Sequence, residues 1–235
     1  MDRRGLVCAF AIAALAMADP ASPDPAPAVS AHPAVTLTPL SAYHDALAAL
    51  PPLGNIAFQY SEVRSGPTRT IEEEHSVYRS GDGNERNETV AVNGTPVVPA
   101  LVRLSASDVW AYDVRRFDVD ESEYNVMSLG VVTVTGKRAL GFSTVRTTPG
   151  DFSITGLYLD LRSRLPLRET FEVQGGGCAG SGTIDFEPVA ATWLPIAVSV
   201  SCTVGSGGDT FKESIHFSGY RFPRVIPPDV FTGAP

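Results

Sequence analysis

From position 56 onward, apolar and polar residues alternate with a period of two, the pattern of strands that turn one face to a core. The alternation predicts ten strands, over residues 56–64, 69–79, 85–93, 123–135, 137–145, 152–161, 167–174, 182–187, 195–204 and 209–220. Turn signals separate several of them: Ser80-Gly81-Asp82-Gly83-Asn84, Asn93-Gly94 and Thr135-Gly136, where Gly and Asn tolerate positive φ. Residues 95–122 lack the pattern and read as a loop with one strand around 110–117. Ahead of the strands, Thr38-Pro39 is a helix start, and Leu40, Tyr43, Leu47 and Leu50 recur on one helical face until Pro51-Pro52.

Ten strands spaced at about 4.8 Å make a sheet about 48 Å wide, whereas a helix about 20 Å long and 10 Å thick covers only part of it. The expected fold is therefore mainly β: a curled antiparallel sheet forming a half-open barrel, with the one N-terminal helix on its concave side. Phe58, Tyr60, Phe142, Ile154, Tyr158, Phe171, Phe186, Trp193 and Phe217 are the expected interior beside the helix residues. They form either plain core or the wall of an apolar cavity.

The first residues read as an address. Arg3 and Arg4 precede an apolar run from Gly5 to Met17, and Ala16-Met17-Ala18 offers a cleavage site, so residues 1–18 are expected to be a signal peptide. The run is short of the roughly 18 residues that span a bilayer, and no later stretch approaches that length, so no transmembrane anchor is expected. Cys8 follows Gly5-Leu6-Val7, the wrong sizes for a lipoprotein signal. Residues 19–37, with Pro20, Pro23, Pro25, Pro27 and Pro33, form a disordered tether, and residues 38–235 form a single domain. The 21 Gly and 19 Pro suit short strands and turns rather than a helical bundle. A net charge of −8 repels phosphate backbones, which excludes nucleic acid as a partner.

Export leaves Cys178 and Cys202 in an oxidising compartment, where a disulfide is favoured over two free thiols. The sequence holds no Gly-x-Ser-x-Gly elbow, no His-Glu-x-x-His, no Cys-x-x-Cys and no phosphate loop, and the expectation is a non-enzyme without cofactor. Gly175, Gly177 and Gly180 have dinucleotide-loop spacing, but a strand rather than a helix follows, so they read as a hairpin loop. In Glu72-Glu73-Glu74-His75 alternation lets only Glu73 and His75 point together; a solvated strand face is expected and no metal is assigned. Asn87-Glu88-Thr89 and Asn93-Gly94-Thr95 match glycosylation sequons but read as strand-end and turn residues. Arg86, Arg103, Arg115 and Arg116 are either surface charges or the mouth of a cavity.

The stretch Ile154-Thr155-Gly156-Leu157-Tyr158-Leu159-Asp160, followed by Arg164-Leu165-Pro166-Leu167-Arg168-Glu169, resembles a passage of the bacterial outer-membrane lipoprotein-sorting carriers, the LolA/LolB-like group. Trp193-Leu194-Pro195 and the run from Tyr220-Arg221-Phe222-Pro223 through Ile226-Pro227 to Phe231 are similar to that group's later passages. The resemblance spans about residues 39–231 and departs from the group at 95–122 and in the Cys-bearing hairpin. It implies a helix-covered apolar cavity that holds acyl chains of a lipid or lipoprotein. The expected function is an exported, periplasmic, non-catalytic binding protein for such a ligand; the alternative is a module on the same fold that binds another envelope protein.

Overall fold

The computed structural model describes residues 39–108, 110–175, 177–204 and 208–232. The expected signal peptide (1–18), the expected tether (19–37) and Thr38 lie outside the described residues. Strands β1 (Ile56–Ser65), β2 (Thr70–Arg79), β3 (Asn84–Val92), β4 (Thr95–Ala106), β5 (Tyr124–Val134), β6 (Lys137–Arg146), β7 (Phe152–Asp160), β8 (Pro166–Val173), β9 (Cys178–Val189), β10 (Thr192–Val204) and β11 (Asp209–Arg221) follow one helix, α1 (Ser41–Ala48). All eleven belong to one sheet in the order β4-β3-β2-β1-β11-β10-β9-β8-β7-β6-β5, and every pairing is antiparallel. The sheet does not close: β4 and β5 are its two edges, consistent with an open half-barrel.

Three sequence expectations are corrected. Residues 95–106, expected as loop, are strand β4, hairpinned to β3 through Asn93-Gly94. It lies at the sheet edge with most of its residues exposed on both faces, so it carries no alternation to read. Pro96 and Pro99 sit there because an edge leaves N–H groups unpaired anyway. Conversely, the strand expected at 110–117 is irregular chain ending in a 3-10 helix, Val114–Phe117, capped by the Asp113 side chain, which accepts from Arg115 N. The N-terminal helix is also shorter than expected, eight residues, with Leu40 at its cap and Leu50 beyond its end.

Register aligns two rows of side chains across the inner face. One runs Glu73, Glu62, Ile215, Val198, Ile184, Glu169, Leu157, Phe142 from β2 through β11 to β6. Its neighbour runs Ile71, Arg64, Glu213, Val200, Gly182, Phe171, Ile154. Gly182 is glycine because a Cβ there would collide with the Phe171 ring and the Ser199 carbonyl. Bulges at 57/59, 74/75, 89/91, 128/130 and 154/156 add local twist and bend the strands. Among the described residues, no helix is long and apolar enough to cross a membrane.

Candidate functional site

The segment from Ser107 to Glu123 connects the two free edges, β4 and β5, and with α1 it covers the inner face. Leu40, Tyr43 and Leu47 from the helix and Trp110, Val114, Phe117 and Val119 from the crossing segment are all buried. Trp110 packs on Phe58 with ring centroids 5.4 Å apart, Tyr112 meets Phe217 edge-on at 4.9 Å, and Phe117 lies 6.1 Å from Phe152 and 6.3 Å from Phe186. The two pieces of the cover are stitched to each other. Leu40 N donates to Glu121 Oε1 at 3.3 Å, His44 Nε2 lies 3.1 Å from Val119 O, and Arg115 Nη2 donates to Leu50 O at 2.7 Å and Pro51 O at 2.9 Å. The sheet holds the two ends of the crossing segment by side-chain hydrogen bonds: Arg79 on β2 donates to Ser107 O, and Arg146 on β6 donates to Glu123 Oε2 at 3.0 Å. Between those ends, buried apolar side chains face the sheet.

Of the thirteen predicted interior residues, Leu40, Tyr43, Leu47, Phe58, Phe142, Ile154, Phe171, Phe186, Trp193 and Phe217 are buried. Tyr60 and Leu50 are half-buried, and Tyr158 pairs with Gly141 and Arg168, on the face away from the cover. A cavity of about 660 Å³ lies elsewhere and holds only Phe171 of these thirteen. Its lining includes Thr155, Thr170, Thr183, Ser199 and Ser214, residues that alternate with the inner-face set, and the Thr183 and Ser199 hydroxyls lie 2.9 Å apart. This trough mixes hydroxyl-bearing residues with Val63, Phe171 and Val200, and lies apart from the buried side chains under the cover.

Two polar groups interrupt the inner face; the first was not picked out from the sequence, and of the second only Glu73 and His75 were. Glu169 is fully buried beneath the cover, and neither carboxyl oxygen has a hydrogen-bond partner. Burial first, and the Asp118 carboxylate second, push its pKa well above the usual carboxylate range. Tyr43, in the cover, is likewise raised by burial and then by Glu169 and Asp118. The second group sits on β1, β2, β3 and β11. Arg64 Nε pairs with Glu62 Oε1 at 2.8 Å, and its Nη2 pairs with Glu73 Oε2. His75 is buried, stacked on Tyr60 at 4.3 Å and 8°, and desolvation pulls its pKa below the usual histidine value. Burial and the neighbouring Glu62 push Glu213 up to about 7.

Glu73 and His75 do point together, but inward rather than on a solvated face; Glu72 and Glu74 take the exposed side. The signal for their partners was the spacing Phe58-Tyr60-Glu62-Arg64, which puts two charged residues on the core face of one strand. Of the arginines considered for a mouth, Arg86 donates to Val230 O at 3.0 Å and Arg115 ties the cover together, while Arg103 and Arg116 are exposed. Cys178 and Cys202 form a disulfide between β9 and β10, with Cα atoms 5.6 Å apart.

The sequence matches no protein-family model and no curated protein. Among solved structures it is similar to a LolA superfamily protein from Nitrosomonas europaea, at 12% identity and a TM-score of 0.43, over 83% of this chain and 98% of that one. It is also similar to a DUF1329 family protein from Desulfovibrio piger, at 13% identity and a TM-score of 0.46, over 82% of this chain and 96% of the other. A further similarity is to a chain of the MucA/MucB complex of Pseudomonas aeruginosa, at 15% identity and a TM-score of 0.28, over 76% and 93% of the two chains.

Proposed function

We propose that this chain is an exported, non-catalytic binding protein that shelters a hydrophobic ligand, a lipid or acyl chain, between the inner face of its sheet and the cover made by α1 and residues 107–123. One observation carries the reading: between ends anchored by Arg79 and Arg146, the cover is hydrogen-bonded to itself and turns Leu40, Tyr43, Leu47, Trp110, Val114 and Phe117, all buried, to the sheet. An acyl chain offers the inner face the same kind of contact that Leu47, Trp110 and Phe117 supply in the closed form. Each methylene removed from water contributes about 0.8 kcal/mol, so a long chain offsets the cost of lifting the cover without any polar chemistry. The filled interior is then the empty, closed state. The signal-peptide pattern at residues 1–18 supports export, and the missing catalytic motifs support a non-enzyme.

Binding of a fluorescent fatty acid tests this. Its emission rises on mixing, phospholipid displaces it, and added salt changes little, because burial rather than ion pairing drives the association. In a Trp193→Phe background Trp110 is the remaining tryptophan, and its emission shifts as ligand replaces the cover. A probe that gains no intensity, with Trp110 unmoved, rejects the carrier reading.

A second reading, a module that binds another envelope protein, is supported by the edges. Val98, Leu101 and Leu104 on β4 and Met127, Leu129 and Val131 on β5 are exposed, beside unpaired strand backbone suited to strand addition. Under this reading substitution of Leu101 or Met127 by Lys abolishes partner capture and leaves lipid-probe behaviour unaltered.

A further inference from the structure

The polar group on β1 and β2 has a use that the covered apolar face does not absorb. Glu62, Glu73 and His75 each place one potential ligand atom within 4.8 Å of the others. His75 Nε2 lies 4.0 Å from Glu62 Oε2 and 3.8 Å from Glu73 Oε2, too far for hydrogen bonds. It is buried without a hydrogen-bond partner, on a residue only 8% exposed. The other ring nitrogen, Nδ1, meets the Asn87 amide oxygen at 3.0 Å, and the Asn87 amide nitrogen donates to the Tyr60 hydroxyl at 2.8 Å. That chain puts the imidazole proton on Nδ1 and leaves the Nε2 lone pair aimed at two carboxylates. A lone pair facing two anions in a half-buried pocket is repulsive unless positive charge stands between them. Arg64 neutralises part of the negative charge, pairing with Glu62 Oε1 and with the same Glu73 Oε2 that faces the imidazole, but it leaves Nε2 without a hydrogen-bond partner.

We propose that Glu62, Glu73 and His75 are the ligands of a site for a divalent transition-metal cation of the zinc class. One imidazole nitrogen and two carboxylate oxygens suit such a cation, whereas calcium and magnesium prefer oxygen alone. Tetrahedral ligands at about 2.0–2.2 Å from zinc stand roughly 3.3–3.6 Å from one another. The His75 separations of 3.8 and 4.0 Å need only a small closure, and the two carboxylate oxygens, within 4.8 Å of each other, draw together with it. The Asn87 oxygen on Nδ1 is the outer-shell contact that fixes a metal-binding tautomer, and the stacked Tyr60 ring fixes the plane. Three protein ligands leave a fourth position for water or an anionic oxygen. Arg64, whose side chain is 31% exposed, stands on the solvent side and competes for Glu73, so the cation enters as that arm swings out.

Calorimetric titration of the full chain with zinc chloride, repeated with cobalt(II) and read by visible absorption, tests the site. One equivalent binds, and cobalt shows the ligand-field bands of a low-coordinate nitrogen and oxygen site. His75→Ala and Glu73→Gln each weaken binding at least tenfold, and Arg64→Met tightens it about tenfold by removing the competitor. Glu73→Gln is isosteric and half-exposed, so it carries the test if His75→Ala does not fold. Absence of zinc binding to the folded chain, binding unchanged by Glu73→Gln, or weaker binding in Arg64→Met overturns the proposal. The fatty-acid experiment does not enter this test, so either proposal can fail alone.

Discussion

Glu169 sets the residue scale. Its carboxyl is fully buried with no hydrogen-bond partner, and its folded-state pKa lies well above the usual value. The folded protein therefore keeps a proton that the unfolded chain loses near the ordinary glutamate pKa of about 4.3. Stability is undiminished below that pH and falls as pH rises above it, by up to about tenfold in the folding equilibrium per pH unit, until the folded pKa is reached. Urea midpoints measured between about pH 4 and pH 7 should fall in the native chain, and Glu169→Gln should flatten the profile and raise the midpoint at neutral pH. The position of this residue was legible: Leu167, Glu169 and Phe171 alternate onto one face. Its burial was not, because residue type argues for solvent, and only the overlying cover, supplied from far along the chain, overrides that preference.

At the scale of elements, legibility followed packing. Central strands such as β8 and β10 have one face in the core and show it as alternation over most of their length; β4, exposed at an edge, shows nothing. The crossing segment has buried residues at Trp110, Val114 and Phe117, the i, i+4, i+7 spacing of a helix, and then at Val119, which breaks it, and only Val114–Phe117 is helical. The helix was legible through Leu40, Tyr43 and Leu47, but its length was not, since Leu50 belongs to the turn that Arg115 holds. The buried apolar contact under the cover makes Leu47→Asp informative. It should cost about 3 kcal/mol or more in stability through the buried charge, and should shift Trp110 emission to the red as the cover loosens. Circular dichroism should still report the sheet. The disulfide ties β9 to β10 with a sequence separation of 24 residues, and replacing both cysteines by Ala should cost about 3–4 kcal/mol on the chain-entropy model. Alkylation of the unfolded, unreduced protein should label neither thiol.

For the whole molecule, the width argument led from a count of strands to an open, curled sheet, and the structure has that form although the count was ten rather than eleven. The pairing of β1 with β11 was beyond the sequence. Nine of the ten pairings join neighbours in the chain, and alternation is blind to the tenth, which joins the first strand to the last. That tenth pairing holds the β1–β4 half to the β5–β11 half, so Ile215→Pro, in the middle of β11 opposite Glu62 and Val198, should separate them. Hydrogen exchange should then show β2 and β3 exchanging far faster while β7 to β9 keep their protection.

The β1–β11 pairing also sets a timetable. Tyr60 and its partner Phe217 are 157 residues apart, the difference of their positions. At 5–20 residues per second, β1 waits roughly 10–30 s after its own synthesis before its partner strand exists. Throughout that interval one edge of β1 is an unpaired template, open to the same edge of another nascent copy. Glu62 and Arg64 on β1 itself, backed one strand away by Glu72, Glu73 and Glu74 on β2, put charge beside that edge that two like copies find hard to bury together. The acidic patch thus guards the chain while it is still incomplete, and neutralising Glu72, Glu73 and Glu74 together should raise the aggregated fraction during synthesis.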